Sequence, residues 1–307
     1  QFCIIKNNSQ MKIIVTGSLG HISKPLTQAL VKNGHAVTVI SRKAEKQKDI
    51  ESLGAKAAIG SIEDVGFLTS TFSQSDIVYL MSPPVNYFDQ NVDIEKYWTN
   101  IAHAYVQAVQ YSGVTKVIHL SSIGAHTDKG VGMLAVHHHV ENILKGLPEK
   151  VSIKFMRPVG FYYNMLAFIP TIKGANAIIQ NYGGDEKQPW VSPLDIAKVI
   201  ADEMEKPFLG RTVRYIASDE VSPNEVAKVL GEAIGKPDLK WLVISDEEFF
   251  NNLINIGFNP VAAKGMTEMN AARKKHLYDD YYQHKPVLGD IKLSNFAKEF
   301  AVVYSQR

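Results

Sequence analysis

Residues 11 to 42, MKIIVTGSLGHISKPLTQALVKNGHAVTVISR, decide how the rest of the chain is read. Ile13, Ile14 and Val15 form a short apolar run that stops at Thr16-Gly17-Ser18-Leu19-Gly20-His21-Ile22-Ser23. Apolar residues then recur at Ile22, Leu26, Ala29 and Leu30, the spacing of one helix face. Asn33-Gly34 is a helix stop, and Ala36 to Ile40 is a second apolar run that ends at Ser41-Arg42. Strand, glycine turn, helix and strand together make a βαβ unit.

A glycine turn in that place has a physical use. Glycine lets the backbone bend sharply and approach a ligand, while the helix start offers unpaired N–H groups and the positive end of a dipole, so a pyrophosphate fits. The spacing is Gly17-x-x-Gly20-x-x-Ser23 rather than G-x-G-x-x-G, and serine in the third place is small enough for the helix to pack against the strand. An ordinary strand-to-helix turn has the same glycines. The position at the head of a βαβ unit, with Arg42 at the end of the second strand, selects the nucleotide reading. There an acidic residue accepts from the ribose 2′-hydroxyl of NAD, whereas Arg accommodates the 2′-phosphate of NADP. No carboxylate precedes Glu45, and Arg42-Lys43 bring two positive charges. NADP(H) is therefore expected over NAD(H), the plain alternative being that Arg42 and Lys43 occupy a solvated loop. Thr16, Gly17, Leu19, Gly20, His21 and Ile22 are the expected contacts of the turn.

Composition narrows the classes without choosing an activity. The 307 residues are 45% hydrophobic and 21% charged with a net charge of +2, which describes a globular chain of one large or two modest domains with no basic field for nucleic acid. No apolar run is long enough for a transmembrane helix. Cys3 is the single cysteine, so an intrachain disulfide and a multi-cysteine metal site are excluded, and a reducing cytoplasm is the expected compartment. Residues 1–10 read as an upstream extension ahead of a natural start at Met11.

Strands and helices then alternate. A helix around 44–53, a strand near 57–59 and a helix reaching about Phe72 follow, the last opened by Ser61 and Asp64 as a capping pair. Ile77 to Met81 is a buried strand stopped by Ser82-Pro83-Pro84. Ligands of a doubly wound sheet lie outside the carboxyl ends of its strands, so Met81, Ser82 and Pro83, with Ser61 and Ile62, are candidate cofactor contacts. A helix from about Val92 to Tyr111, a strand at 117–120 delivering Ser121-Ser122, a helix from Met133 to Lys145 and a strand at 151–156 broken by Arg157-Pro158 complete six strands. The expected fold is α/β, a doubly wound, mostly parallel sheet of Rossmann type in residues 11–158, with a smaller α/β substrate region in 159–307 that returns some segments to the sheet. In that region Ser192-Pro193 and Ser222-Pro223-Asn224-Glu225 open capped helices, 212–216 and 239–243 read as strands, and 251–269 reads as a flexible cover.

Together these motifs resemble the NmrA-like branch of the atypical short-chain dehydrogenase/reductases. The resemblance rests on Thr16-Gly17-x-x-Gly20-x-x-Ser23, Ser41-Arg42, residues 60–64 (GSIED), residues 117–122 (VIHLSS), His137-x-x-x-Glu141, Phe155-x-Arg157-Pro158, Asn164 and Val191-x-x-x-Asp195-Ile196-Ala197. It spans most of 11–205 and is loose beyond. It implies NADP(H) binding and a family holding both quinone or phenylpropanoid-type reductases and redox-sensing regulators without turnover. Short-chain dehydrogenases pair Tyr-x-x-x-Lys, the lysine lowering the tyrosine pKa for proton exchange with a carbonyl. Aligned by Glu141, those positions fall on Met133 and His137, which cannot reproduce the pair. Tyr281-x-x-x-Lys285 has the spacing but lies far beyond the sheet. His137 is the candidate catalytic residue and cofactor neighbour. Ser121 is a second: it and Ser122 lie where the family keeps a hydroxyl, and either would hydrogen-bond the nicotinamide ribose or a substrate carbonyl, the plain alternative being a strand-end turn. The run His137-His138-His139 does not make a metal site, because successive helical residues point about 100° apart. Tyr162, Tyr163 and Asn164 are expected to shape an aromatic substrate pocket.

The sequence thus points to an oxidoreductase passing hydride from NADPH to a small electron-poor acceptor such as a quinone, whose weakly basic product oxygen needs no strong general acid. The alternative is a non-catalytic NAD(P)(H) sensor. A sugar-nucleotide epimerase is disfavoured because it needs the proton-transferring tyrosine. Neither nucleic acid nor membrane insertion is expected, and a homodimer or a regulatory protein partner fits either reading.

Overall fold

β-Branched and apolar residues fill strands buried on both faces. In a computed structural model that describes residues 10–275 and 277–306, these strands form one seven-stranded parallel sheet. Its first half contains β1 (Lys12–Val15), α1 (Ser23–Lys32), β2 (Ala36–Ser41), α2 (Gln47–Ser52), β3 (Lys56–Ile59), α3 (Val65–Phe72), β4 (Ile77–Met81) and α4 (Ile94–Ser112). β5 (Lys116–Leu120), α5 (Ala135–Lys145) and β6 (Ser152–Pro158) follow. The strand order ends β6-β5-β4-β1-β2-β3, so the direction of winding reverses between β1 and β4, where a doubly wound sheet holds its ligand. This is a Rossmann-type α/β fold.

The chain then leaves the sheet through β7 (Gly160–Phe161), a 3₁₀ segment at Tyr162–Phe168, α6 (Ile169–Ala175), β8 (Ala177–Gln180) and β9 (Gln188–Val191). It returns with α7 (Pro193–Met204), which packs on α1, and with β10 (Arg211–Ile216), which joins the sheet beside β6 as its seventh strand. Beyond lie β11 (Asp219–Val221), α8 (Pro223–Ala233), β12 (Lys240–Val243), α9 (Asp246–Asn255), α10 (Pro260–Ala272), α11 (Asp279–Gln283) and α12 (Leu293–Gln306). β7, β9 and β11 form a small sheet, and β8 pairs with β12. Apolar clusters fill both faces of the main sheet. A third, with Tyr162, Trp190, Trp241 and Phe300, holds the C-terminal region together.

Local signals place most helix ends. α1 stops at Asn33 ahead of Gly34, which takes φ +87°, and α8 carries the full capping box of Ser222 with Glu225. Two expectations are corrected. Asp64 alone caps α3, accepting from the Phe67 N–H, while Ser61 instead accepts from the Glu63 N–H in the turn before it. β6 also runs through Arg157-Pro158 rather than stopping at Met156, because β10 supplies a parallel neighbour out to the Pro158–Ile216 pair and proline is tolerated at a strand end. Cys3 and most of the expected upstream extension lie outside the described residues.

Candidate functional site

The Thr16 hydroxyl ties the two strands at the reversal point together. It donates to the Tyr79 carbonyl at 3.0 Å and accepts from the Met81 N–H at 3.1 Å. Gly17 follows with φ +88° and Ser18 with φ +53°. A Cβ on Gly17 would collide with Met81 Sδ and stand 2.6 Å from Ser23 Oγ, so the turn closes only with glycine there. Ser23 donates to the Thr16 carbonyl at 2.8 Å, which seats α1 against the strand as the small third residue of the motif should. Gly20 and His21 are exposed, Gly17 and Leu19 half-buried, and Ile22 is buried among the core residues. α1 has no side-chain cap and no acidic residue in its first turn. Among the described residues, no capping side chain or first-turn carboxylate competes with a phosphate for that positive end.

At the end of β2, Ser41 accepts from Ser18 Oγ at 3.0 Å and from the Lys43 N–H at 3.2 Å, holding the loop that carries Arg42 and Lys43 beside the turn. Both cations are exposed. Arg42 reaches the phenol of Tyr97 on α4, which Glu63 also approaches; burial and then Glu63 raise the Tyr97 pKa while Arg42 lowers it. Ser61 and Ile62, half-buried, lie next to Glu63 in the β3–α3 turn. Met81, Ser82 and Pro83 form the next edge, pinned by α4: Tyr105 donates to the Met81 carbonyl and Trp98 to that of Pro83, each at 2.9 Å. Tyr97, Trp98 and Tyr105 share one helix with no motif to mark them, and sequence reasoning passed over them.

The β5 edge is built differently. Ser121, 3% exposed, donates to Glu141 Oε1 at 2.6 Å. Arg157 reaches both oxygens of that carboxylate at 2.8 Å and extends through its other nitrogen to Tyr215 and Asp280, each at 3.2 Å. Burial alone would raise the Glu141 pKa, but Arg157 above all, then Ser121 and Lys145, hold it below the usual carboxylate range. Glu141 is thus an anchor of a buried network. The Ser121 proton is committed to it. Met133 sits in a 3₁₀ turn, Gly132–Leu134, ahead of α5, and α10 presses on that turn so closely that a Cβ on Gly265 would stand 3.0 Å from Met133 Cβ. A thioether there donates no proton.

His137, the other candidate, packs its ring 5.0 Å from that of Trp98, with Nδ1 buried and unpartnered among the described residues. Burial, reinforced by nearby His119 and opposed by Glu141, pushes its pKa down to about 3, so the ring is neutral at ordinary pH. Its neighbours diverge, His138 bonding the Ala125 carbonyl at 3.0 Å and His139 meeting Glu95 at 2.9 Å.

Across the phosphate turn stands an aromatic wall. Tyr163 stacks on His21 with centroids 4.9 Å apart, and Phe161 meets Tyr163 at 5.2 Å. Burial pushes the Tyr163 hydroxyl up to about 12, with Tyr87 adding. Tyr87, in the loop after β4, stacks on Phe258 at 6.0 Å, and Asn259 fastens that loop by donating to the carbonyls of Tyr87 at 2.8 Å and Asp89 at 3.1 Å. The expected trio therefore splits. Asn164 is exposed, and Tyr162 belongs to the core, stacked on Phe296 at 5.5 Å because the 3₁₀ segment turns it away from its neighbour. Tyr281 and Lys285 share Glu220, at 2.9 and 2.7 Å, a structural tie away from the turn.

Comparison with known proteins agrees with this geometry. The sequence pattern described as the NmrA-like family matches residues 9–296. An NAD(P)H azoreductase of Xenophilus azovorans is 23% identical over 259 residues, 84% of this chain and 86% of that protein. Among solved structures, an NADPH-dependent quinone oxidoreductase from Escherichia coli, complexed with NADPH, superposes with a TM-score of 0.77 at 20% identity, covering 94% of this chain and 99% of the other. The triphenylmethane reductase of Citrobacter sp., complexed with NADP(H), gives 0.73 at 19% identity over 94% and 99%. Matched along nearly its whole length, this chain belongs to the NmrA-like family.

Proposed function

We propose that the chain is an NADP(H)-dependent reductase acting on a flat, electron-poor acceptor such as a quinone. The observation that carries the reading is the placement of the His21–Tyr163 stack on the phosphate turn, together with a Ser121 proton committed to Glu141 at the β5 edge. Gly17 to Ile22 would hold the diphosphate, Ser18, Arg42 and Lys43 the 2′-phosphate, and Met81 to Pro83 the path towards the nicotinamide. When bound, NADPH supplies a hydride. The chain's own residues orient the partners: Tyr163 and His21 offer π-faces to a planar ring, and the neutral His137 side chain, next to Trp98, is a hydrogen-bonding group at the β4–β5 cleft. A quinone suits this arrangement because its reduced oxygen is weakly basic and takes its proton from water. The azoreductase and quinone oxidoreductase relatives support the class of acceptor.

This division of labour assigns the cofactor to residues 11–158 and the acceptor to 159–307, with the cytoplasm as the compartment that provides the nicotinamide pool. No helix of the described residues is long and apolar enough to cross a membrane. The experiment is a panel of quinones and enals mixed with NADPH-loaded protein, read as oxidation of NADPH. Turnover of quinones supports the reading, and no oxidation with any acceptor removes it. The closed Ser121–Glu141–Arg157 network also favours a second reading, a dinucleotide sensor that binds without turning over and acts on a protein partner. That reading predicts tight binding, no oxidation and a partner recovered by co-purification.

A further inference from the structure

The loop that carries Arg42 and the β3–α3 turn are fastened to each other. β2 and β3 pair in parallel as far as Ser41 and Ile59, and one residue further the Gly60 N–H donates to the Ser41 carbonyl at 3.0 Å. A Cβ on Gly60 would stand 2.6 Å from the Phe67 ring of α3, so that ring lies directly on the backbone where the turn begins. Ser61 Oγ accepts from the Glu63 N–H and the Ser61 carbonyl from the Asp64 N–H, each at 3.2 Å. These contacts fix the backbone of Glu63 beside the loop of Arg42.

α4 supplies the third side. The Tyr97 ring packs with Ile62, Val65 and Phe67 on one apolar cluster. Its hydroxyl interacts with both charges: burial and then Glu63 keep the phenol protonated, while Arg42 favours its ionised form. An oxygen that donates towards a carboxylate and accepts from a guanidinium behaves in this way. A cation and a carboxylate therefore converge on one hydroxyl at the end of β2.

Stability does not account for this arrangement, because Arg42 and Glu63 are exposed and exposed charges contribute little to folding. Ligand chemistry does. At this edge of a dinucleotide fold an arginine accommodates a 2′-phosphate, and a carboxylate accepts from a free ribose 2′-hydroxyl. β2 carries no carboxylate of its own, and Glu63 brings one from the neighbouring turn to the phenol that Arg42 reaches. There it opposes a phosphate by like charge and suits a hydroxyl as acceptor.

We propose that Glu63 accepts from the ribose 2′-hydroxyl of NADH, so that the site takes NADH as well as NADPH, Arg42 reading the phosphate and Glu63 the hydroxyl. The proposal rests on the dinucleotide-binding part of the reductase reading and requires no turnover. The test titrates NADPH, NADH, adenosine 2′,5′-bisphosphate and adenosine 5′-monophosphate into the wild type, Glu63→Ala, Glu63→Gln and Arg42→Ala. The wild type is expected to bind NADH within about tenfold of NADPH. Glu63→Ala should weaken NADH and the monophosphate about tenfold, the size of one charged hydrogen bond. It should also tighten NADPH and the bisphosphate by about two- to fivefold as a like charge is withdrawn. Glu63→Gln, which keeps a neutral acceptor, falls between for NADH. Arg42→Ala shifts the preference the other way.

A selective loss of NADH and the monophosphate in Glu63→Ala supports the proposal. Parallel changes in all four ligands, or no loss of NADH, overturn it, since a structural change in the turn moves both classes alike. Tight NADPH binding with no binding of NADH by the wild type also overturns it and leaves the NADPH reading standing. Failure to bind either dinucleotide removes both. The predicted selectivity without oxidation of bound NADPH by any quinone supports the role of Glu63 and removes the reductase reading alone.

Discussion

The phosphate turn and the β5 edge face the same cleft and are built on opposite terms. At the turn, Gly17 removes a side chain, α1 begins without a cap, and Arg42 and Lys43 are exposed. Its polar groups are left for a ligand. At the β5 edge Ser121, Glu141, Arg157, Tyr215 and Asp280 satisfy one another. These five polar groups are used internally. Under the proposed function the contrast means that the binding half is kept while Met133, at the position aligned with the proton-donating tyrosine, does not supply that chemistry. That proposal calls for an acceptor that needs hydride and orientation but no acid.

The largest effect should come from breaking the closed side. Arg157→Met removes both guanidinium bonds from buried Glu141 and leaves it only Ser121 and the half-exposed Lys145, and stability should fall by about 3 kcal/mol, read as a lower denaturation midpoint with NADPH affinity nearly kept in the protein that remains folded. Acid probes the same region. His119, enclosed on β5, has its pKa pushed from 6.5 down to about 4 by burial, against the opposing pull of Glu141 and the Leu80 backbone. The unfolded chain takes up that proton first, so stability present above pH ~6.5 is lost as pH falls towards ~4, by about 3 kcal/mol for this one ring. Chemical denaturation between those values should show the loss, and His119→Leu should flatten it. Glu141, held low, contributes only further down.

On the open side, Gly17→Ala places a Cβ against Met81 and Ser23 at φ +88°, and dinucleotide affinity should fall by roughly a hundredfold in a titration. Arg42→Ala is milder: NADPH should weaken by about tenfold and NADH hardly at all, as loss of one charge-assisted contact requires. Equal weakening of both would remove Arg42 from the 2′-phosphate. The smallest effect belongs to Tyr163→Ala, which removes a stack worth roughly 0.5–1.5 kcal/mol beyond its buried area, and should raise the quinone KM severalfold with kcat less affected.

The open side was legible in the sequence because its rules are local. Glycine at a strand end, a small residue at Ser23, arginine after the second strand and the helical period each act over a few residues, and the βαβ unit stands as read. The closed side was not. Arg157 meets Asp280 across 123 residues, and no local pattern announces which arginine will find which carboxylate. The same holds for Arg42 with Tyr97 and for Asn259 clamping the loop of Tyr87. Tyr162 and Tyr163 show the limit most clearly. Adjacent and chemically identical, they were read as a pair, yet a 3₁₀ segment sends one to the core against Phe296 and the other to His21. β10 was legible as a strand but not as the seventh of the sheet, since its partner β6 was read as ending early.

The most direct test of the account is a single anaerobic turnover, in which protein loaded with one equivalent of NADPH is mixed with naphthoquinone and the reduced nicotinamide absorbance is followed. The account predicts complete oxidation with formation of the hydroquinone, in the wild type and equally in Ser121→Ala, because no proton from the β5 edge is required. NADPH that stays bound and reduced would contradict it.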